Sequence, residues 1–111
     1  VKSDAQVNML LSNSIVSAGC TIHPSRIKNS VIFDDSLIQQ NAQVYDSVLL
    51  PKVSVGENVT IKKAIIDRNC VIPEGLEIGV DHEADKANGF RVTDKGVVLV
   101  TRDMIAAYLE K

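Results

Sequence analysis

A repeat of 16 or 17 residues constrains the fold of this chain more than any other feature of its sequence. Four similar ten-residue segments begin at Asn13, Asn29, Asp46 and Lys63, so their starts lie 16, 17 and 17 residues apart. Across these segments a large aliphatic residue, mostly Ile or Val, recurs every five or six positions. The twelve aliphatic positions are Val16, Ile22, Ile27, Ile32, Ile38, Val44, Leu49, Val55, Ile61, Ile66, Ile72 and Ile78. A second column holds small residues, namely Ser14, Ser30, Ser47 and Ala64.

This spacing predicts an all-β solenoid of about four coils. An amphipathic helix places apolar residues three and four positions apart, and an amphipathic strand places them two apart. A period near six that closes at about 17 residues instead fits a triangular coil with three short strands and three corners. One aliphatic side chain per strand would point inward and stack on the next coil, about 4.8 Å away. A β-sandwich of short strands is the alternative, but it does not require this register.

Length, charge and composition argue against several classes of function. The 111 residues suffice for one domain with a core. A net charge of −2 and an aromatic content of 4% offer neither a basic surface nor a base-stacking platform, so we expect no nucleic acid and no membrane as partners. No apolar run approaches the roughly 18 residues of a membrane-spanning helix.

The two cysteines occupy one column of the repeat, three coils apart. Ser36 and Val53 lie between Cys20 and Cys70 in that column. Three coil spacings amount to about 14 Å, beyond the roughly 7 Å between Cα atoms that a disulfide tolerates. We therefore predict free thiols in small, half-buried sites, which favours a reducing, cytoplasmic location.

The repeat divides the chain into three parts. Residues 1–12 lack the repeat and are interpreted as a linker or cap, and 13–79 form the β-helix. Residues 80–111 are predicted to be an extension packed on the solenoid. It would contain a short helix or loop at Val80–Asn88, a hairpin at Phe90–Thr101 and a closing helix after the N-cap Thr101. The helix would contact the solenoid through the apolar pairs Met104–Tyr108 and Ile105–Leu109.

Few residues lie in patterns typical of catalysis. His23 lies at a corner, and although hexapeptide acyltransferases use a histidine near a coil as general base, a surface turn residue is the simpler interpretation. His82 lies among Asp81, Glu83 and Asp85, but consecutive residues point in different directions. A solvated acidic loop is therefore favoured over a metal site.

Basic residues provide the better candidates. Arg102 follows a helix N-cap, where a guanidinium and helix N–H groups together suit a phosphate. Arg68 lies at another corner of the predicted triangle. Lys28, Lys62 and Lys63 fall together on one corner and are interpreted as solvated charges.

Four segments resemble a known family in the same order along the chain. They are Ser14–Cys20 (SIVSAGC), Ser47–Pro51 (SVLLP), Ile65–Gly79 (IIDRNCVIPEGLEIG) and Gly96–Met104 (GVVLVTRDM). Together they are similar to the C-terminal domain of bacterial glucose-1-phosphate adenylyltransferase, also called ADP-glucose pyrophosphorylase. The resemblance implies a left-handed parallel β-helix that forms subunit contacts in a homotetramer and shares an allosteric site with an N-terminal catalytic domain.

The resemblance also implies the function and the site residues. The family makes ADP-glucose and pyrophosphate from ATP and glucose 1-phosphate for glycogen synthesis, with Mg²⁺ and the chemistry in the N-terminal domain, so this fragment alone should be inactive and hold no cofactor. Arg68 and Arg102 match family arginines that bind the phosphates of an activator, often fructose 1,6-bisphosphate. Some members have a further basic residue where this chain has Ala106. A hexapeptide acyltransferase and a non-catalytic regulatory paralogue are the alternatives.

Overall fold

Three sheets of short strands and two helices make up the part of the chain that the computed structural model describes, residues 10–110. Sheet A contains β1 (Leu10–Ser12), β4 (Arg26–Lys28), β7 (Gln43–Tyr45), β10 (Thr60–Lys62) and β13 (Glu77–Ile78). Sheet B contains β2 (Ile15–Val16), β5 (Val31–Ile32), β8 (Val48–Leu49), β11 (Ala64–Ile66), β15 (Val98–Val100) and β14 (Arg91–Val92). Sheet C contains β3 (Thr21–Ile22), β6 (Leu37–Ile38), β9 (Ser54–Val55) and β12 (Val71–Ile72). The helices are α1 (His82–Ala87) and α2 (Arg102–Leu109).

The strand order shows a β-solenoid. Consecutive strands from β1 to β13 lie in different sheets, and each pairs in parallel with the strand one coil away. Four coils are complete, and β13 and β15 belong to a partial fifth. The predicted all-β solenoid of about four coils is confirmed, and its left hand stays the expectation of the family resemblance.

The predicted inward positions form the core. Ten of the twelve aliphatic side chains are at most 1% exposed. Val16 and Ile22, both in the first coil, are only partly buried against this core. Stiff, β-branched side chains suit such a stack because neighbouring coils present the same shape at each level.

Each coil turns its corners at residues with a left-handed backbone. Nine described residues other than glycine have φ between +49° and +64°, and seven of them are Asn or Asp. Short polar side chains tolerate this conformation best because they form local hydrogen bonds. Two lysines, Lys52 and Lys63, adopt it as well.

Columns of polar side chains also bind neighbouring coils together. The Ser30 hydroxyl donates to the Lys28 carbonyl at 2.9 Å and accepts from the Ser47 backbone N–H at 3.1 Å. The Ser47 hydroxyl repeats this arrangement and accepts from the Ala64 N–H at 3.2 Å. The small-residue column therefore satisfies buried backbone donors, which explains why the repeat prefers serine at that position.

At its two ends, the solenoid differs from the sequence prediction or adds to it in three details. Leu10–Ser12 pair with Arg26–Lys28, so the first coil begins inside the segment that we interpreted as a linker or cap. In the predicted hairpin, β15 pairs in parallel with β11 and so continues sheet B, while β14 returns antiparallel to it. Helix α2 contacts β12 through the buried Ile105, and the predicted pair Met104 and Tyr108 packs against the core, whereas Leu109 is 56% exposed.

Helix α1 places a buried carboxylate against the last coil. Asp85 is 0% exposed, and its oxygens accept from the Gly79 N–H at 3.1 and 3.3 Å. Burial raises the pKa of Asp85, an effect that Asp81 reinforces and that the Gly79 hydrogen bond and His82 oppose. Because the folded-state pKa lies above the unfolded one, the stabilising contribution is fully present below the unfolded pKa, about 3.9, and is lost as pH rises through the folded pKa.

The raised pKa of Asp85 leads to a prediction for Asp85→Asn. An amide oxygen still accepts from the Gly79 N–H but carries no buried charge, so we expect the variant to be at least as stable as the parent at pH 7. Its advantage should shrink as the pH falls to 4, because the raised pKa lets the parent carboxylate take up a proton more readily than a free one. Asp85→Ala, which leaves the Gly79 N–H unpaired, should cost about 1–3 kcal/mol. Urea unfolding between pH 4 and 8 measures all three; an advantage for the asparagine that is the same at every pH would contradict the prediction.

Candidate functional site

Arg68 and Arg102 lie at the same end of sheet B. Strands β11 and β15 pair in parallel, with Ile66 opposite Val100. Each arginine follows its strand by two residues, so the two leave the sheet from neighbouring strands, which lie about 4.8 Å apart. The fold thus brings together the two candidate residues, which are 34 positions apart in the sequence.

Hydrogen bonds order the backbone around both arginines. The Asp67 N–H donates to the Val100 carbonyl at 2.9 Å, and an Asp67 carboxylate oxygen accepts from the Arg68 N–H at 2.8 Å. Thr101 is the N-cap of α2, and its hydroxyl accepts from the Met104 N–H at 3.2 Å. Both arginines are exposed, and neither guanidinium pairs with any residue between 10 and 110. They are therefore available to bind an anion.

Cys70 lies close to this end of the sheet, and its thiol is buried. Its thiol is 3.9 Å from the Val100 carbonyl oxygen. Burial, followed by the Asp67 carboxylate, raises the pKa of Cys70 to about 11, although Arg102 opposes the rise. The thiol stays protonated at neutral pH and is a poor nucleophile. Both cysteines are free, as predicted, but Cys70 is fully buried and only Cys20 is half-buried.

A shallow groove runs beside the arginines on the outside of sheet B. Its volume is about 170 Å³, and its walls are Leu50, Ile65, Asp67, Leu99, Val100 and Thr101. Arg91 is exposed and lies opposite Leu99 on β14. It is an exposed cationic residue on the strand next to the groove wall at Leu99, and the sequence pattern did not single it out. The predicted hairpin contained the signal, because its turn brings Arg91 level with Leu99.

The outer surface of sheet B is apolar across five neighbouring strands. Its central row consists of Ile15, Val31, Val48, Ile65 and Leu99. Ile15 is 64% exposed and Ile65 is 39% exposed. In sheet A the matching positions from β4 to β13 are polar, namely Arg26, Gln43, Thr60 and Glu77. An exposed aliphatic row of this length is typical of an interaction surface, and it reaches the groove beside the arginines.

Within the described residues, the remaining candidates do not come together in one cluster. His23 is exposed, and no described residue forms a hydrogen bond with its imidazole. The short helix predicted as one possibility for Val80–Asn88 is present as α1, and Asp81 and Glu83 are solvent-exposed as expected. The prediction of a solvated acidic stretch is wrong only for Asp85, which is buried. Within residues 10–110, no three His, Cys, Asp or Glu side chains come together as metal ligands. The described helices are also too short and too polar to cross a membrane.

A family model provides the first comparison with known proteins. The model for the GlmU-like, C-terminal hexapeptide family matches residues 1–100. The chain belongs to this family. Hexapeptide-family membership agrees with the six-residue period of the core and with the three sheets of short parallel strands.

Within the hexapeptide family, curated relatives are glucose-1-phosphate adenylyltransferases. The protein of Shewanella amazonensis is 51% identical over 96 residues, that of Pseudoalteromonas atlantica 50% over 93, and that of Shewanella frigidimarina 52% over 93. These matches cover 84–86% of this chain and 22–23% of the relatives. The chain thus spans less than a quarter of their length and matches their C-terminal part, which confirms the predicted resemblance.

Proposed function

We propose that this chain is the regulatory and assembly domain of a glucose-1-phosphate adenylyltransferase. The whole enzyme would join ATP and glucose 1-phosphate to give ADP-glucose and pyrophosphate for glycogen synthesis in the cytoplasm. One observation carries the regulatory part of the proposal: the pairing of β11 with β15 places Arg68 beside Arg102 without a counter-ion among the described residues. The roughly 50% identity to named adenylyltransferases supports the parent activity.

The chemistry of this site suits a phosphorylated activator such as fructose 1,6-bisphosphate. A guanidinium stays charged at all physiological pH values and pairs with two phosphate oxygens at once. Two such groups on neighbouring strands match a ligand with more than one phosphate. Arg91, on the strand that pairs with β15, is a further exposed cation of this sheet, whereas Ala106 adds no charge.

The apolar row of sheet B supports the assembly part of the proposal. Its exposed aliphatic side chains would be covered by the N-terminal catalytic domain or by another subunit of a homotetramer. Because this row continues into the arginine groove, a ligand bound at the arginines would also contact the covering partner. Activation would then reflect a difference in affinity between two arrangements of that interface.

Catalysis is assigned to the part of the enzyme that precedes this domain. The six glycines of the chain are scattered and do not form a phosphate-binding loop. Nucleotide binding and Mg²⁺ would belong to the N-terminal nucleotidyltransferase domain. We therefore expect the 111-residue chain alone to make no ADP-glucose, whereas the full-length enzyme does.

Arg102→Ala in the full-length enzyme tests the regulatory site. We expect the concentration of fructose 1,6-bisphosphate for half-maximal activation to rise about 10- to 100-fold, because a charge-assisted contact worth about 1.5–3 kcal/mol is lost. Activity without activator should remain nearly unchanged. The measurement is ADP-glucose formation against activator concentration, with and without the substitution.

Lys95→Ala is the matched control for this experiment. Lys95 is also an exposed cation, but it lies in the hairpin turn before β15, at the other end of that strand. Its removal should leave activation intact. Equal activation of the Arg102→Ala enzyme and the parent would reduce the chain to a structural role, and a parent that makes no ADP-glucose under any condition would indicate a regulatory paralogue.

A further inference from the structure

A second cationic surface lies on sheet A, on a different face from the arginine groove. It is an open groove of about 690 Å³ whose lining includes Arg26, Lys28, Tyr45, Asp46 and Lys62. The repeat spacing predicts Lys28, Lys62 and Lys63 together on one corner as solvated charges. The structure separates them: Lys63 turns the next corner and its ammonium donates to the Lys95 carbonyl at 2.9 Å, whereas Lys28 and Lys62 end strands of sheet A.

Register places the cations of this groove around one aromatic ring. Lys28 pairs with Tyr45, and Tyr45 pairs with Lys62, so the two lysines flank the tyrosine at one coil spacing on either side. Arg26 lies two residues before Lys28 on the same strand, and the buried Ile27 between them puts both cations on the outer face. Three cationic side chains thus surround Tyr45 across three neighbouring strands, which span about 10 Å.

The positive charge of this groove is only partly neutralised by the described residues. None of the three cations forms an ion pair within residues 10–110. The one carboxylate in the lining, Asp46, accepts from the Asn29 side-chain amide at 3.1 Å. The lining therefore has a formal charge of +2, whereas the whole chain has −2. Unpaired cations gathered in a concave site on an acidic protein attract small anions.

Tyr45 adds an ordered aromatic surface between the lysines. Its hydroxyl donates to the Gln43 side-chain oxygen at 3.1 Å, and the residue is half-buried. The hydrogen bond restricts the ring, which can contact the base or sugar of a ligand at low entropic cost. Asp46 and Asn29 add polar atoms at the edge of the groove.

We propose that this groove binds a phosphorylated small molecule. Arg26, Lys28 and Lys62 hold the phosphate oxygens, and the organic part of the ligand lies against Tyr45. A nucleotide and a sugar phosphate share this chemistry. The site is separate from Arg68 and Arg102, so it stands or falls independently of the proposed activator site.

Amide NMR titration of the 111-residue chain tests the proposal, with ADP, ribose 5-phosphate and inorganic phosphate as probes. We expect saturable shifts of the amides around Lys28, Tyr45 and Lys62, which are distinct from any shifts around Arg68 and Arg102. Lys28→Glu and Lys62→Glu should each weaken binding at least about tenfold, since each removes a charge-assisted contact. Lys52→Glu makes the same charge change at a corner between sheets B and C and should leave binding unchanged.

The variants also separate the possible outcomes. If Tyr45→Leu weakens ADP but not inorganic phosphate, the ligand is a nucleotide; if ADP and ribose 5-phosphate bind equally and both weaken, it is a sugar phosphate. The proposal is overturned if no probe gives saturable shifts at these amides, or if Lys52→Glu weakens binding as much as the sheet A variants do. Charge reversal could itself disturb the fold. Lys28→Gln and Lys62→Gln remove the charge without reversing it, and they should also weaken binding.

Discussion

Replacing Gly79 with alanine is expected to lower the free energy of unfolding by about 3 kcal/mol or more. Gly79 has φ +83°, a conformation that a side chain disfavours. A Cβ at this position would overlap the carbonyl oxygen of Lys62 and lie 2.9 Å from its carbonyl carbon. Both are backbone atoms of strand β10, so the last coil would have to move away from the sheet. The movement would also loosen the hydrogen bond from the Gly79 N–H to Asp85.

Gly75→Ala is the matched control, because it has the same backbone strain without the overlap. Gly75 has φ +77°, but an added Cβ would have no neighbour within 4 Å. Its substitution should cost only the left-handed penalty of about 1–2 kcal/mol. Urea unfolding of both variants, followed by far-ultraviolet circular dichroism, gives the comparison. Equal losses would show that the backbone conformation, and not the close contact with Lys62, makes glycine necessary at position 79.

Replacing Ile66 with alanine is the second substitution with a large expected effect, about 2–5 kcal/mol. Ile66 is 0% exposed and lies in the core at the level of Val100. Its neighbours in the coils on either side hold the backbone at a fixed spacing, so the cavity is not expected to close. The lost free energy has two parts: the apolar groups that are no longer buried, and the contacts missing around the remaining cavity. Thermal and urea unfolding both report it.

Ile65→Ala provides an internal comparison within the same strand. Ile65 has the same side chain, but it points outward and is 39% exposed. We expect a change of about 0.5 kcal/mol in the free energy of unfolding of the isolated chain. In the full-length enzyme we expect Ile65→Ala to weaken assembly more than Ile66→Ala does, since Ile65 belongs to the apolar row of sheet B. Comparable destabilisation of the isolated chain by both variants would contradict the assignment of inward and outward faces.

The repeat alone determined the architecture, because a solenoid is built from contacts between equivalent positions. A period near six with a closure of 16 or 17 residues leaves few arrangements, and the inward positions followed directly from it. Local chemistry was also visible in the sequence. Thr101 is the N-cap of α2, and the turn at Asp94–Gly96 joins two antiparallel strands, as predicted. Both features depend on residues within a few positions of each other.

Tertiary structure decided which distant groups share a site. Arg68 could be named from the sequence, but its distance from Arg102 depends on whether β15 joins sheet B or merely packs on the solenoid, and no local pattern distinguishes the two. The burial of Asp85 likewise depends on where α1 lies against the last coil. The cluster around Tyr45 appears only when three coils are aligned. In each case the deciding contact joins residues far apart in sequence, so its free energy depends on the packing of the whole chain and is absent from any short segment.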